Sequence, residues 1–367
     1  MGVWDVYCNI SGAMHFNSPA AFVESFESDV QDKVPQEILD GLLYSKEDVS
    51  ASQDRVILSY YDDDDDSYAD KPGAIKLDSD GGWMLHDVEP CDYQRYQDRD
   101  DPAREYVLEE EFGVVTHCSL VIFRHRFPDY SASVVSQIVG HGSPGMYHGA
   151  VARTQEQWVE WLNVTDRVFE DEGESAEEWW LRFLTRSDRT PEEIIHEAWM
   201  GPGNMWMFVR PDRFPISEAL ALPALQQFAV STPSETSKGS PSLLDLPLDI
   251  IQELCAHLPL PSLLSLPQIN KSLRALVLPH LDAFVRRSIE WHHRYLLPET
   301  PSSAYRSNEE NEWWTKQWVE GGKVDVNSIP WTAFARACAT SRSMRSRKRI
   351  WDIVGEMEAA ARRDGII

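Results

Sequence analysis

Residues 246–277 are punctuated by Pro247, Pro259, Pro261 and Pro267, and proline inside a helix removes a hydrogen bond and clashes with the preceding turn. Only short helices fit, and the apolar spacing predicts three of them in about 35 residues. In the first, Asp245 can cap, Pro247 takes the opening turn and Asp249 faces the positive end of the helix dipole. Ile250, Ile251, Leu254 and Leu258 then make one apolar stripe, ended by Pro259 and Pro261. Pro267 restarts the chain, and Ile269, Leu273, Leu276 and Val277 repeat the stripe while Lys271, Ser272 and Arg274 face away. Three helices this short cannot bury all of that surface among themselves. Leaving it in water costs roughly 1.5–3 kcal/mol for each Leu or Ile, so a covering partner is implied.

The rest of the chain frames this segment. At 367 residues, two or three domains are expected, and the 39 aromatic residues argue against wholesale disorder. The boundary falls at residues 231–242, STPSETSKGSPS, a linker without hydrophobic period. Residues 1–230 carry a net charge of −27 and residues 231–367 a net of +1. Such an acidic surface repels phosphate backbones and anionic leaflets, so nucleic acid and membranes are poor partners for the first part, while a basic protein suits it. Five cysteines without a CxxC pair, no signal-peptide pattern and no membrane-length apolar run indicate a cytoplasmic or nuclear protein.

Before the linker, Arg55–Tyr61 reads as a strand, and Asp62–Asp66 as a solvated acidic loop rather than a calcium site. Phe112–Phe127 fits a strand or a buried helix equally, and 155–169, 176–184 and 191–199 read as helices. The expected fold is therefore α+β: a mixed N-terminal domain and a mostly helical C-terminal half. Candidate chemistry is thin. His141 and His148 stand in a Gly-rich stretch that lacks the frame of a nucleophile elbow or phosphate loop and reads as a turn. Cys8, His117 and Cys118 could supply zinc donors but lack paired knuckles, so no metal and no cofactor are expected. The basic run Arg342–Arg349 reads as a solvated face leading into a helix, with a nuclear-import signal or a phosphate-binding patch as the alternatives, and Trp313, Trp314 and Trp318 as core contacts.

The ordered positions Leu246-Pro247, Asp249, Ile250-Ile251, Leu254, Leu258, Leu263-Leu264, Leu266, Ile269, Lys271 and Arg274 resemble an F-box. Leu273 stands where many F-boxes carry Trp, and Asn270 where many carry Cys. The opening Trp4–Gly12 is similar to the start of a set of fungal F-box proteins in which a second cysteine follows the first, and here Ser11 takes that place. The resemblance covers about 40 of the 367 residues.

F-box proteins are substrate receptors of Skp–cullin–F-box ubiquitin ligases and perform no chemistry themselves. The resemblance thus implies a non-enzymatic chain with four parts: a recognition domain at 1–230, the linker at 231–242, an F-box at 243–282 and a helical tail at 283–367. Its partners would be the Skp adaptor, the cullin scaffold and a protein substrate. Leu246, Pro247, Ile250, Ile251, Leu254, Leu258, Leu263, Leu266 and Ile269 become candidates for facing the adaptor or stabilising the helices, two roles that one stripe leaves unseparated. Only about 90 residues follow, without repeats, which favours recognition by the N-terminal part. A scaffold using these helices for another partner, and an enzyme in residues 1–230, are the rival classes.

Overall fold

The computed structural model describes residues 6–8, 10–11, 14–15, 33–42, 55–59, 75–77, 83–85, 96–97, 105–106, 112–130, 132–140, 181–200, 209–222, 246–269, 271–299, 309–321 and 329–367. The 231–242 linker, Asp62–Asp66, His141, His148, Asp245, Asn270 and the 155–169 helix lie outside these residues. Two compact units form: Met1–Pro211 with Pro301–Ser307 and Arg349–Ile367, and Asp212–Thr300 with Asn308–Lys348.

The first unit holds β1 (Val6–Tyr7), β2 (Met14–His15), α1 (Gln36–Gly41), β3 (Arg55–Ser59), β4 (Ile75–Leu77), β5 (Trp83–Leu85), β6 (Tyr96–Gln97), β7 (Glu105–Tyr106), β8 (Phe112–Thr116), α2 (His117–Arg126), α3 (Ala132–Gly140) and α4 (Pro191–Met200). Among the described residues the strands pair two by two, and β3 runs antiparallel to β8 with Arg55 opposite Thr116 and Ser59 opposite Phe112. Phe112–Phe127 is thus strand and helix in succession. Thr116 makes the switch: its extended backbone ends β8, and its hydroxyl accepts from Ser119 N at 3.3 Å to cap α2.

A second cap opens α4, where Pro191 is the first helical residue. Thr190 N donates to Glu193 Oε2 at 2.9 Å while Glu193 N donates to Thr190 Oγ1 at 3.3 Å, a reciprocal capping box. The backbone N–H of Thr190 holds the Glu193 carboxyl below its ordinary range. Ile38 and Leu42 then bury against Leu184, Ile194, Ala198 and Trp199. Trp199 Nε1 donates to Gly41 O at 2.8 Å, and a methyl group at Gly41 would collide with Ile195.

The second unit holds α5 (Ile216–Ala221), α6 (Leu248–Ala256), α7 (Leu260–Ile269), α8 (Lys271–Val277), α9 (Leu281–His292), α10 (Glu309–Lys316) and α11 (Trp331–Thr340), with a π turn at Gln317–Gly321. Helix α12 (Arg342–Arg363) gives residues 342–348 to this unit and 349–363 to the first. Of the residues described together with their side chains, 74% are helical, with one short strand among them. This overturns the expected α+β class: the described residues are mostly helical. Among the described residues the alternating runs of the N-terminal part form two-stranded ladders of at most five residues.

Helix α9 is the hub of this unit, packing against α6, α7 and α11. Its Val285 and Ile289 are fully buried, and its Asp282 Oδ1 accepts from Thr332 N at 2.8 Å, capping α11 from another element. Trp314, Trp318, Phe334 and Phe214 meet edge to face, with Trp314 ring centroids 4.9 Å from Phe214 and 5.0 Å from Phe334. Such contacts add about 0.5–1.5 kcal/mol each beyond area burial.

Next to these rings lies a buried ion pair. Arg347 Nη1 and Nη2 donate to Glu310 Oε1 and Oε2 at 2.6 and 2.8 Å, with side-chain exposures of 0% and 5%. Arg347 also donates to Tyr295 O at 2.6 Å and Leu297 O at 3.1 Å and lies 4.9 Å from the Phe214 ring centroid. Glu310 Oε2 accepts Glu299 N at 2.6 Å. The run Arg342–Arg349 is therefore not a wholly solvated face: its spacing along α12 turns Arg347 inward.

Replacing Arg347 with Met strands the Glu310 carboxylate and should cost about 3–5 kcal/mol of unfolding free energy in urea titrations, whereas R347M/E310M should recover most of that loss. Burial lowers the pKa of His293 from 6.5, and His292 and Lys348 lower it further. The unfolded chain therefore binds this proton more readily, so stability falls as pH drops through the ordinary histidine range. Urea midpoints at pH 7.5 and 5.5 should differ less for His293→Gln than for the wild type.

Candidate functional site

Pro247 opens α6 as its cap residue, one position before the helix rather than inside it, and its carbonyl accepts from Ile250 N at 3.0 Å and Ile251 N at 3.2 Å. The helix ends at Ala256, before the prolines expected to stop it. Pro259 instead starts α7, accepting from Leu263 N at 3.0 Å, with Pro261 in that helix's first turn. Pro267 sits inside α7 rather than restarting the chain. Arg274 Nε donates back to the Pro267 carbonyl at 2.7 Å.

The nine candidate residues divide by depth. Ile251, Leu263 and Leu266 are buried in the core of the second unit, and Leu258 packs against it, with the Leu258 carbonyl accepting from Ser288 Oγ of α9. Leu246, Pro247, Ile250, Leu254 and Ile269 remain exposed. Ile250 is 48% exposed and Leu254 46%, one turn apart on the outer side of α6, while Ile269 at the end of α7 reaches 67%. The chain thus covers one side of the stripe with α9 and leaves the other open. Because adjacent residues of a helix point about 100° apart, Ile250 and Ile251 have opposite fates. Leu273, at the position where many F-boxes carry Trp, is 4% exposed.

Trp291 of α9 is also exposed, and the motif did not single it out. Its ring lies 6.0 Å from that of His257, and the Arg287 guanidinium sits 4.2 Å from its centroid. Its signal in the sequence was a Trp breaking the polar end of an otherwise amphipathic helix.

Elsewhere among the described residues, Cys8 and Arg349 are occupied structurally. The buried Cys8 sulfur accepts from the N–H groups of Ser11 at 3.3 Å and Thr116 at 3.2 Å. Arg349, lowered to about 9 by burial and held up in part by Cys8, donates to Ser11 O at 2.8 Å. A guanidinium in that place repels a divalent cation, and among the described residues no group of three His, Cys, Asp or Glu is arranged to hold a metal. Burial raises the Cys255 thiol and, further, the Cys338 thiol, so both stay protonated at neutral pH. Among the described residues no helix is long and apolar enough to cross a membrane.

No family model, curated protein or solved structure matches the chain.

The division of the stripe has a direct consequence for stability. Ile251→Ala should lose about 2–5 kcal/mol in denaturant titrations, while Ile250→Ala, next to it, should stay within about 0.5 kcal/mol of the wild type.

Proposed function

We propose that this protein is a substrate-receptor subunit of a Skp–cullin–F-box ubiquitin ligase, docked on the Skp adaptor by the outer side of α6 and holding a protein substrate elsewhere in the chain. One observation carries this reading. The residues that resemble an F-box separate into an internal set and an exposed apolar set, Leu246, Pro247, Ile250, Leu254 and Ile269. Monomers seldom leave grouped aliphatic side chains in water without a use for them, and a binding face is the common one.

Such a receptor acts by juxtaposition and contributes no catalytic group or cofactor. The adaptor joins it to the cullin scaffold, and the acidic residues 1–230, with their net charge of −27, favour a basic substrate. The cytoplasm or nucleus is the compartment that suits this role.

The test is capture of the Skp adaptor and cullin by the tagged full chain. The wild type should co-purify both, and L246A/P247A should lose both while keeping its far-ultraviolet circular dichroism, because neither side chain belongs to the core. Undiminished capture by the double variant would overturn the assignment of this face. Failure of the wild type to bind purified adaptor would favour a scaffold outside the ligase.

A further inference from the structure

We infer that residues 349–363 of α12 are a strap that closes the first unit and holds its fold, while residues 342–348 of the same helix stay with the second unit. Helix α12 is continuous to Arg363, yet its two parts belong to different units. Ile350, Ile353, Val354, Met357 and Ala361, at i, i+3, i+4, i+7 and i+11, make one buried stripe. The apolar core of the second unit takes Met344 from this helix and none of these five. Residues 1–230, read from the sequence as a self-contained recognition domain, are therefore incomplete without the strap.

Three polar clasps fasten it. At its start, Arg349 Nη1 donates to Ser11 O at 2.8 Å. Next, Arg126 Nη1 at the end of α2 donates to Trp351 O at 2.7 Å, its guanidinium 5.1 Å from the Trp351 ring centroid, and the His125 ring lies 5.3 Å from the same ring. Gly355 leaves room for this arginine, since a Cβ there would collide with the guanidinium. Burial lowers the pKa of Arg126 while the Asp352 and Glu358 carboxylates of the strap raise it, so the strap carries the countercharge of a half-buried cation. At the far end, Tyr130 Oη donates to Glu358 Oε1 at 2.7 Å and accepts from Arg362 Nη2, and Arg362 Nε pairs with Glu358.

The two parts of α12 are held unequally. Residues 342–348 are fixed by the Arg347–Glu310 pair, whose side chains are 0% and 5% exposed. The strap's last clasp uses Arg362, which is 57% exposed and so holds less firmly. Its clasps also join residues 338, 225 and 228 positions apart, and contacts of such separation form late because the loop between them must close first. The strap can therefore come off the first unit while Arg347 keeps its place in the second. Whatever the first unit binds is bound only with the strap on.

Amide hydrogen exchange of the full chain tests this, with α2 reporting on the first unit and α9 on the second. Val354→Asp puts a carboxylate into the buried stripe and should speed exchange in α2 by about tenfold or more, with α9 within about twofold of the wild type. Tyr130→Phe, which removes one hydroxyl and leaves the core whole, should speed exchange within 352–363 by about threefold and leave α9 unchanged. Ile251→Ala, in the core of the second unit, should speed α6 and α9 and leave 352–363 unchanged. If α2 keeps its wild-type exchange in Val354→Asp, or 352–363 keeps its own in Tyr130→Phe, the strap is refuted. If α9 speeds up as much as α2 in Val354→Asp, or 352–363 as much as α9 in Ile251→Ala, α12 opens with both units together and the strap is refuted as well.

Discussion

Arg347 and Glu310 are removed from water together, and the second unit is arranged around keeping them paired. An uncompensated charge at that depth costs several kcal/mol, so the guanidinium needs all of its partners at once: the carboxylate of α10, the carbonyls of Tyr295 and Leu297, and the face of Phe214. Those groups come from three separate stretches of chain. Meeting the demand fixes where α9 ends, where α10 begins and how α12 enters. Helix α9 is thereby held at both ends, since Asp282 near its start also caps α11.

A fixed α9 decides what α6 and α7 can do. Three short helices carry more apolar surface than they can bury together, and α9 takes up one side of it, Ile251, Leu263 and Leu266 with their neighbours. Leu246, Ile250 and Leu254 are left over on the far side. An exposed row on a rigid support is preorganised for binding, because its side chains lose little further freedom when a partner arrives. The same side chains on a loosely held helix would bind more weakly for the same contacts.

Much of this segment was legible in advance. The spacing of Ile250, Ile251, Leu254 and Leu258 marked the stripe, a local property, whereas the prolines did not set the helix ends: α6 stops before Pro259 and Pro267 lies inside α7. Which side of the stripe faces inward was not legible, since that depends on α9, whose contacts are long-range. The burial of Arg347 was hidden for the same reason: a cation in a basic run looks solvated until a carboxylate 37 residues away is brought to it. In Phe112–Phe127 the local pattern suited two structures, and the hydroxyl cap at Thr116 allowed both in succession. The α+β expectation failed because alternation along short runs specifies strands but not enough pairing to build a sheet. Trp291 escaped the motif because it lies outside the motif's span.

Amide hydrogen exchange of the full chain, with and without purified Skp adaptor, tests the central claim most directly, since a docked partner slows the opening of the helix it covers. Adding adaptor should slow exchange within Leu248–His257 and leave Gln36–Gly41 and Pro191–Met200 unchanged. Exchange in Leu248–His257 that stays the same while adaptor is bound would contradict that claim.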